Sequence, residues 1–153
     1  MQSNITKSLL VVLVVALIGA IAWFKYQSQH RVGDEKVQIT PAYVNASQNL
    51  IMVATPTPGA SVPHSFFVSG RARGYWFFEA SFPVVVTDSK GVVLAQLPAQ
   101  TESNWMTNEL VSFSARVVIP DFYVGPATLT FKKDNPSGII EKDASVSFPI
   151  LIQ

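Results

Sequence analysis

The side chains best suited to catalysis are few and widely separated along this chain of 153 residues. It contains no cysteine and two histidines, His30 and His64. Neither histidine has a carboxylate or nucleophile at a spacing that predicts a hydrolytic triad, and two histidines alone do not predict a zinc site. The absence of cysteine excludes disulfides, thiolate metal sites and a cysteine nucleophile. The sequence therefore predicts a protein that is not an enzyme and that holds no cofactor or metal.

One loop does concentrate oxygen ligands of the kind that calcium prefers. Residues 132–143 (KKDNPSGIIEKD) contain Asp134, Asn135, Glu141 and Asp143. Their spacing matches no recognised calcium loop. A solvated hairpin is the favoured interpretation.

Aromatic residues offer a different chemistry, the recognition of a ligand. Tyr75, Trp76, Trp105 and Tyr123 are predicted to form an exposed platform for a glycan or a peptide, because amphipathic rings are common at binding surfaces. The alternative is that Trp76 and Trp105 belong to the core and cover the open ends of the fold.

Glu79 is a lone carboxylate within an apolar stretch, where an unpaired charge would be costly. Arg71 and Arg73 precede it on the other side of Gly74. If the strands before and after Gly74 pair, either arginine can face Glu79. We therefore predict a structural ion pair between Glu79 and Arg71 or Arg73, with a ligand contact by Glu79 as the alternative.

Short apolar runs separated by turn signals must position these residues. Within residues 50–153 the runs alternate with a period of two, which predicts an antiparallel β-sandwich of about seven strands, typical of immunoglobulin-like domains. The Cys…Trp…Cys core of antibody domains is absent, so the domain would only be immunoglobulin-like. The predicted strands are residues 50–54, 65–72, 78–87, 92–97, 111–119, 127–132 and 144–152. Asp88 to Gly91 predicts a hairpin turn, and Pro83 predicts an edge or a bulge.

The N-terminal part differs in composition. Residues 8–24 are apolar and carry no charge, so residues 1–26 are predicted to be a membrane anchor with one transmembrane helix through the lipid bilayer. A cleaved signal peptide is the alternative, since Ala20-Ile21-Ala22 offers a cleavage pattern. Residues 27–49 are polar and are predicted to be a stalk, to which the stretch 42–44 can add a short strand.

Charge limits the partners further. Eleven Lys and Arg balance ten Asp and Glu, which does not favour a nucleic-acid partner. The same balance leaves topology open, because Lys7 on one side of the apolar run faces Lys25, Arg31 and Lys36 on the other.

The segment from residue 50 to the C-terminus resembles the immunoglobulin-like domain of bacterial spore germination, also called the GerMN-associated domain. The resemblance is carried by residues 56–62 (PTPGASV), 68–74 (VSGRARG), 76–82 (WFFEASF), 88–91 (DSKG), 105–106 (WM) and 132–138 (KKDNPSG). It implies an immunoglobulin-like sandwich outside the cytoplasm. It implies no catalytic residues.

These observations lead to one expected function and one alternative. We expect a single-pass membrane protein that presents a non-enzymatic binding or adhesion module to the cell envelope, with an envelope protein or a cell-wall glycan as its partner. The alternative is a ligand-free structural subunit that associates laterally with other membrane proteins as a scaffold.

Overall fold

The computed structural model describes residues 16–26 and 38–153. The chain divides into two compact units, Met1–Gln38 and Ile39–Gln153. In the first unit residues 16–26 are helical. Within the described ranges no helix has both the length and the apolar content needed to cross a bilayer. Residues 8–15 of the predicted transmembrane helix lie outside the described residues.

The second unit is an all-β, predominantly antiparallel structure. Its strands are β1 (Ala42–Val44), β2 (Ile51–Thr55), β3 (Ser61–Val62), β4 (Ser65–Arg73), β5 (Ser81–Asp88), β6 (Val93–Gln100), β7 (Leu110–Val118), β8 (Gly125–Lys132) and β9 (Ser145–Ile152). The hydrogen-bonded order is β1-β9-β8-β5-β6-β7-β4-β2, and β3 pairs in parallel with β9. The described residues thus form nine strands instead of the predicted seven. The two additional strands are β1, which lies in the predicted stalk, and the two-residue β3.

The sheet folds over itself into two layers. In the strand order β2, β4 and β7 are consecutive and form one layer, and β6, β5, β8, β9 and β1 are consecutive and form the other, which β3 joins by pairing with β9. The ring of Phe113 in β7 lies 4.9 Å from that of Phe82 in β5 and 5.7 Å from that of Phe131 in β8, centroid to centroid. Since β7 pairs with neither β5 nor β8, these ring contacts cross the core between the layers.

Alternation of side chains explains why these sequences form strands. In β9 the buried residues Val146, Phe148, Ile150 and Ile152 alternate with more exposed ones. A strand with one buried face has this period of two, and slipping its register by one residue would expose the whole apolar set. The core is accordingly apolar, and no polar or charged residue of the described part is buried.

The third predicted strand is the one that the structure corrects most. It begins at Ser81, not at residue 78, because Gly74–Trp76 form a 3-10 turn and Phe78 and Ser81 close a tight turn. Pro83 lies opposite Pro98 of β6, one residue before the pairing of β5 with β8 begins at Val84. A residue without an N–H is therefore placed where β5 pairs on one side only.

The hairpin turn between β5 and β6 is confirmed. The Gly91 amide donates to the carbonyl oxygen of Asp88 (3.1 Å), and Gly91 has a φ of +82°. The Asp88 carboxylate accepts hydrogen bonds from the amides of Lys90 and Val92, each at 2.8 Å. The side chain of Asp88 thus caps the turn that its position in the sequence predicts.

Candidate binding groove

Tyr75 and Trp76 are adjacent in sequence but have different environments. Both lie in the 3-10 turn Gly74–Trp76 that follows β4. Tyr75 is 47% exposed, whereas Trp76 is fully buried. The ring of Trp76 packs edge-on against Phe82 with centroids 6.3 Å apart. Trp76 is therefore a core residue and does not belong to an exposed platform, which corrects its assignment as a ligand-binding residue.

Tyr75 and Trp105 do come together. They line a shallow pocket of about 330 Å³, together with Gly74 and residues 106–108. Trp105 is half-buried and packs against the core. The backbone explains the proximity, because a Cβ on Gly74 would lie only 2.0 Å from the carbonyl oxygen of Thr107. Only glycine lets the β6–β7 loop approach the end of β4 so closely.

Tyr123 lies at the other end of the β4–β7 ladder. It follows β7 beyond Val118, which pairs with Ser65 at the start of β4, whereas Tyr75 follows the end of β4. The carbonyl oxygen of Tyr123 accepts a hydrogen bond from His64 Nε2 at 2.8 Å, and its hydroxyl donates to the carbonyl oxygen of Pro126. The four predicted aromatics therefore do not form one platform.

The predicted ion pair between Glu79 and Arg71 or Arg73 is absent from the described part of the chain. Arg71 Nη2 donates to the Leu110 carbonyl oxygen (3.1 Å), and Arg73 Nη1 lies 3.9 Å from Glu109 Oε2. The physical reason is topological: β4 and β5 do not pair, and they lie in opposite layers. Glu79 is exposed in a turn.

That turn has an unusual backbone. Glu79 and Ala80 have φ angles of +49° and +59°. Phe78 and Ser81 exchange both of their backbone hydrogen bonds, at 3.0 and 3.1 Å. Two central residues at positive φ define a type I′ turn, which usually contains Asn or Gly. The Thr101 amide donates to the Ala80 carbonyl oxygen (3.0 Å) and so joins the turn to the end of β6.

A larger open groove lies beside this turn. Its volume is about 690 Å³. One wall is the turn residue Glu79 and the segment from Gln100 to Ser103, and the other is β7 from Ser112 to Arg116. At one end Phe67 is 65% exposed, with the Arg116 guanidinium 6.0 Å from its ring centroid.

Charged side chains of both signs line the groove. Glu79 and Glu102 line it without an ion pair to any described residue. Arg116, in contrast, has partners, since its Nε donates to Ser65 Oγ at 3.0 Å. Among residues 16–26 and 38–153 no cluster of three or more His, Cys, Asp or Glu could hold a metal ion.

The sequence pattern does not predict this groove. The strand predicted over residues 111–119 is present as β7, and its residues Ser112, Ser114 and Arg116 are exposed. Glu79 was predicted as a structural residue, with a ligand contact as the alternative. No local sequence pattern identifies Glu102 as a groove residue, and none predicts that β6 diverges from β7. Both features depend on how strands that are distant in sequence pair.

The strands of the second unit define an all-β module of the immunoglobulin-like class. The family model of the immunoglobulin-like domain of bacterial spore germination matches residues 50–138, and the chain belongs to this family. The matched segment spans β2 to β8. This is not a known enzymatic family. Neither the curated proteins nor the solved structures yielded a significant match.

Proposed function

We propose that this protein is a non-enzymatic binding or adhesion module, presented outside the cytoplasm by an N-terminal membrane anchor. The observation that carries the binding role is the groove of about 690 Å³ in which two carboxylates, Glu79 and Glu102, have no ion-pair partner among the described residues. Exposed carboxylates beside a groove can contact a ligand of complementary charge. The partner is an envelope protein or a cell-wall glycan.

The membrane anchor rests on the sequence. Residues 8–24 carry no charge and are almost entirely apolar, with Lys7 and Lys25 at the two ends. Lysines at both ends of such a run can extend toward the headgroups of each leaflet. The placement outside the cytoplasm rests on the family, whose description links it to bacterial spore germination.

Retention on envelope material tests the binding role. The full-length protein in mild detergent is immobilised and incubated with purified cell-wall glycan and with solubilised envelope proteins. Specific retention that weakens when Glu79 and Glu102 are both replaced by Gln supports the proposal. If no envelope material is retained by the unmodified protein, the groove has no binding role. The same conclusion follows if the double replacement leaves retention unchanged.

Topology is tested by labelling. Ser89 is exposed in the β5–β6 turn, so Ser89→Cys introduces the chain's only thiol at an accessible position. An impermeant thiol reagent should label this variant in intact cells. Labelling that occurs only after lysis would place the domain on the cytoplasmic side and overturn the proposed location.

A ligand-free scaffold subunit is the second candidate. It is favoured by the apolar loop after β7, where Phe122 is 86% exposed and Val124 is 68% exposed. Exposed apolar side chains in one loop are a feature of surfaces that associate with other proteins. Stable co-purification with membrane proteins that Phe122→Ser abolishes, without any effect of the Glu79 and Glu102 replacements, would favour this scaffold role.

A further inference from the structure

One end of the two-layered sheet exposes a group of apolar side chains. At this end β7 stops and β8 begins, and the β5–β6 turn lies there too, because Asp88 at the end of β5 pairs with Ala127 near the start of β8. We name it the apolar tip and define it by five exposed residues: Val92, Val93, Val118, Phe122 and Val124. Phe122 and Val124, in the β7–β8 loop, are the most exposed of the five.

Hydrogen bonds fix the loop that carries Phe122 and Val124. Tyr123, between them, donates from its amide to the carbonyl oxygen of Pro120 at 3.0 Å. Its own carbonyl oxygen accepts a hydrogen bond from His64 Nε2 at 2.8 Å, which ties the loop to the residue just before β4. The two neighbouring side chains are therefore held on the surface by an ordered backbone. Exposed apolar patches of this kind are a feature of protein or membrane contact sites.

The chain enters the domain from the side of the apolar tip. Ala42 of β1 lies opposite Ser147 of β9. Earlier in the chain, the Ile39 side chain lies against Gly59, whose amide donates to the carbonyl oxygen of Pro149 at 2.7 Å. Moving back along the chain from β1 therefore means moving toward the C-terminal end of β9, which pairs with the start of β8. That end of β9 is at the apolar tip.

Few residues separate this entry point from the proposed anchor. Residues 27–37 join residue 38 to the helical residues 16–26. A chain of this length reaches at most about 40 Å even when fully extended. A tether with that limit keeps the domain at a high effective concentration near the bilayer, so a modest apolar contact is enough to hold it there.

Charges around the apolar tip balance. Asp88 and Asp121 are acidic, whereas Lys90 is basic, as is Arg116 in β7 near Val118. The Asp88 carboxylate also accepts hydrogen bonds from two amides of its own turn. A surface with no excess of positive charge does not require anionic headgroups. Its contact with a membrane should therefore depend on apolar insertion and not on lipid charge.

The opposite end of the domain also exposes apolar side chains, among them Met106 and Ile140. It is not the side from which the chain enters. Glu79 and Glu102 of the groove lie at that end, beside the first residue pair of β5 with β6. A domain seated on its apolar tip would therefore present these carboxylates away from the membrane.

We propose that the apolar tip docks on the lipid bilayer that holds the anchor, with Phe122 and Val124 inserted at the boundary between headgroups and acyl chains. The docking rests on the proposed membrane anchor and adds an orientation to the proposed binding module. A bilayer fits better than a partner protein because the tether directs the apolar tip to the membrane whether or not a partner is present. The ligand of the groove would then approach from the side away from the bilayer.

Fluorescence quenching in the full-length protein tests the docking. The chain has no cysteine, so Asp121→Cys places a single exposed thiol beside Phe122, and Ser103→Cys places one at the opposite end. Each variant is labelled with a polarity-sensitive dye and reconstituted into phosphatidylcholine vesicles, with or without lipid that carries a nitroxide quencher on its acyl chain. We expect the dye at residue 121 to lose most of its fluorescence to the quencher and the dye at residue 103 to retain it.

Matched charge variants separate insertion from mere proximity. Phe122→Asp combined with Val124→Asp should abolish the quenching at residue 121, because a carboxylate is costly to place in lipid. Met106→Asp, which replaces an exposed apolar residue at the opposite end, should leave the quenching unchanged. Adding phosphatidylserine to the vesicles should also leave it unchanged. Thermal unfolding of each variant checks that the fold is retained.

The docking is overturned if the dye at residue 121 is not quenched although the protein floats with the vesicles, and the anchor then stands. It is also overturned if the dye at residue 103 is quenched as strongly, if the aspartate variant has no effect, or if quenching requires phosphatidylserine. Shielding of residue 121 in native membranes but not in pure lipid would assign the apolar tip to a partner protein instead. Failure of the protein to float with the vesicles removes the anchor and the docking together. The retention experiment tests the binding role of the groove independently of these outcomes.

Discussion

The Arg73 guanidinium donates from Nη1 to the carbonyl oxygen of Asn108 at 3.0 Å, which joins the end of β4 to the β6–β7 loop. The same group donates from Nε to the carbonyl oxygen of Asn49 at 3.0 Å. Arg73 therefore connects two loops from opposite sides of β4. Its ion pair with Glu109 is longer, at 3.9 Å, and the Glu109 side chain is 85% exposed.

Replacing Arg73 by Lys should lower the free energy of unfolding by about 1–2 kcal/mol, because one ammonium group cannot reach both carbonyl oxygens with the geometry of a guanidinium. Glu109→Gln should change it by less than about 0.5 kcal/mol, since exposed ion pairs contribute little. Urea denaturation of both variants measures the difference. Equal losses for the two, or a loss that disappears in about 0.5 M NaCl, would show that the ion pair and not the carbonyl contacts matters.

Gly74 should tolerate no side chain. A Cβ there would lie 2.0 Å from the Thr107 carbonyl oxygen and 2.2 Å from that of Trp105. We expect Gly74→Ala to destabilise the protein by about 2–3 kcal/mol, as overpacking against backbone does. Thermal unfolding measures it, with Tyr75→Ala as the control that truncates an exposed side chain and keeps the backbone contact. A Gly74→Ala variant as stable as the control would contradict the close approach.

The strands were largely predictable from sequence because each buries one face. The strands predicted over residues 65–72 and 144–152 are observed as β4 (Ser65–Arg73) and β9 (Ser145–Ile152). Residues 78–80 were mispredicted as strand because Phe78 and Ala80 continue the alternation of Phe82 and Val84. Nothing local reveals that Glu79 and Ala80 adopt positive φ, since neither is the Asn or Gly that such turns favour.

The candidate site was less predictable because it depends on which strands pair. The expected ion pair of Glu79 assumed that β4 and β5 are neighbours, whereas β4 pairs with β2 and β7. The groove exists because β6 leaves β7 after a single residue pair, Gln100 with Ser114. Pairing between strands distant in sequence is set by packing of the whole core, which periodicity does not encode.

Trp76 should be replaceable by Phe at a small cost. Its indole Nε1 is buried without a hydrogen-bond partner among the residues that the structure describes, and such an unpaired donor costs the folded state roughly 1–3 kcal/mol. Phe removes that donor while keeping much of the ring contact with Phe82. We expect Trp76→Phe to cost less than about 2 kcal/mol and Trp76→Ala about 3–5 kcal/mol in urea denaturation. If both variants lose a similar free energy of unfolding, the packing of the whole indole ring matters more to stability than the unpaired N–H donor.

The turn at Glu79 and Ala80 offers a route to a more stable protein. Both residues have positive φ, which costs a residue with a Cβ roughly 1–2 kcal/mol. Asn-Gly is the preferred pair in type I′ turns, so Glu79→Asn with Ala80→Gly should raise the melting temperature by several degrees. Glu79→Ala is the control: it removes the carboxylate without relieving the backbone, so it should change the melting temperature little. A marked fall for Glu79→Ala would mean that the carboxylate stabilises the fold, contrary to its exposed position without an ion pair in the described chain.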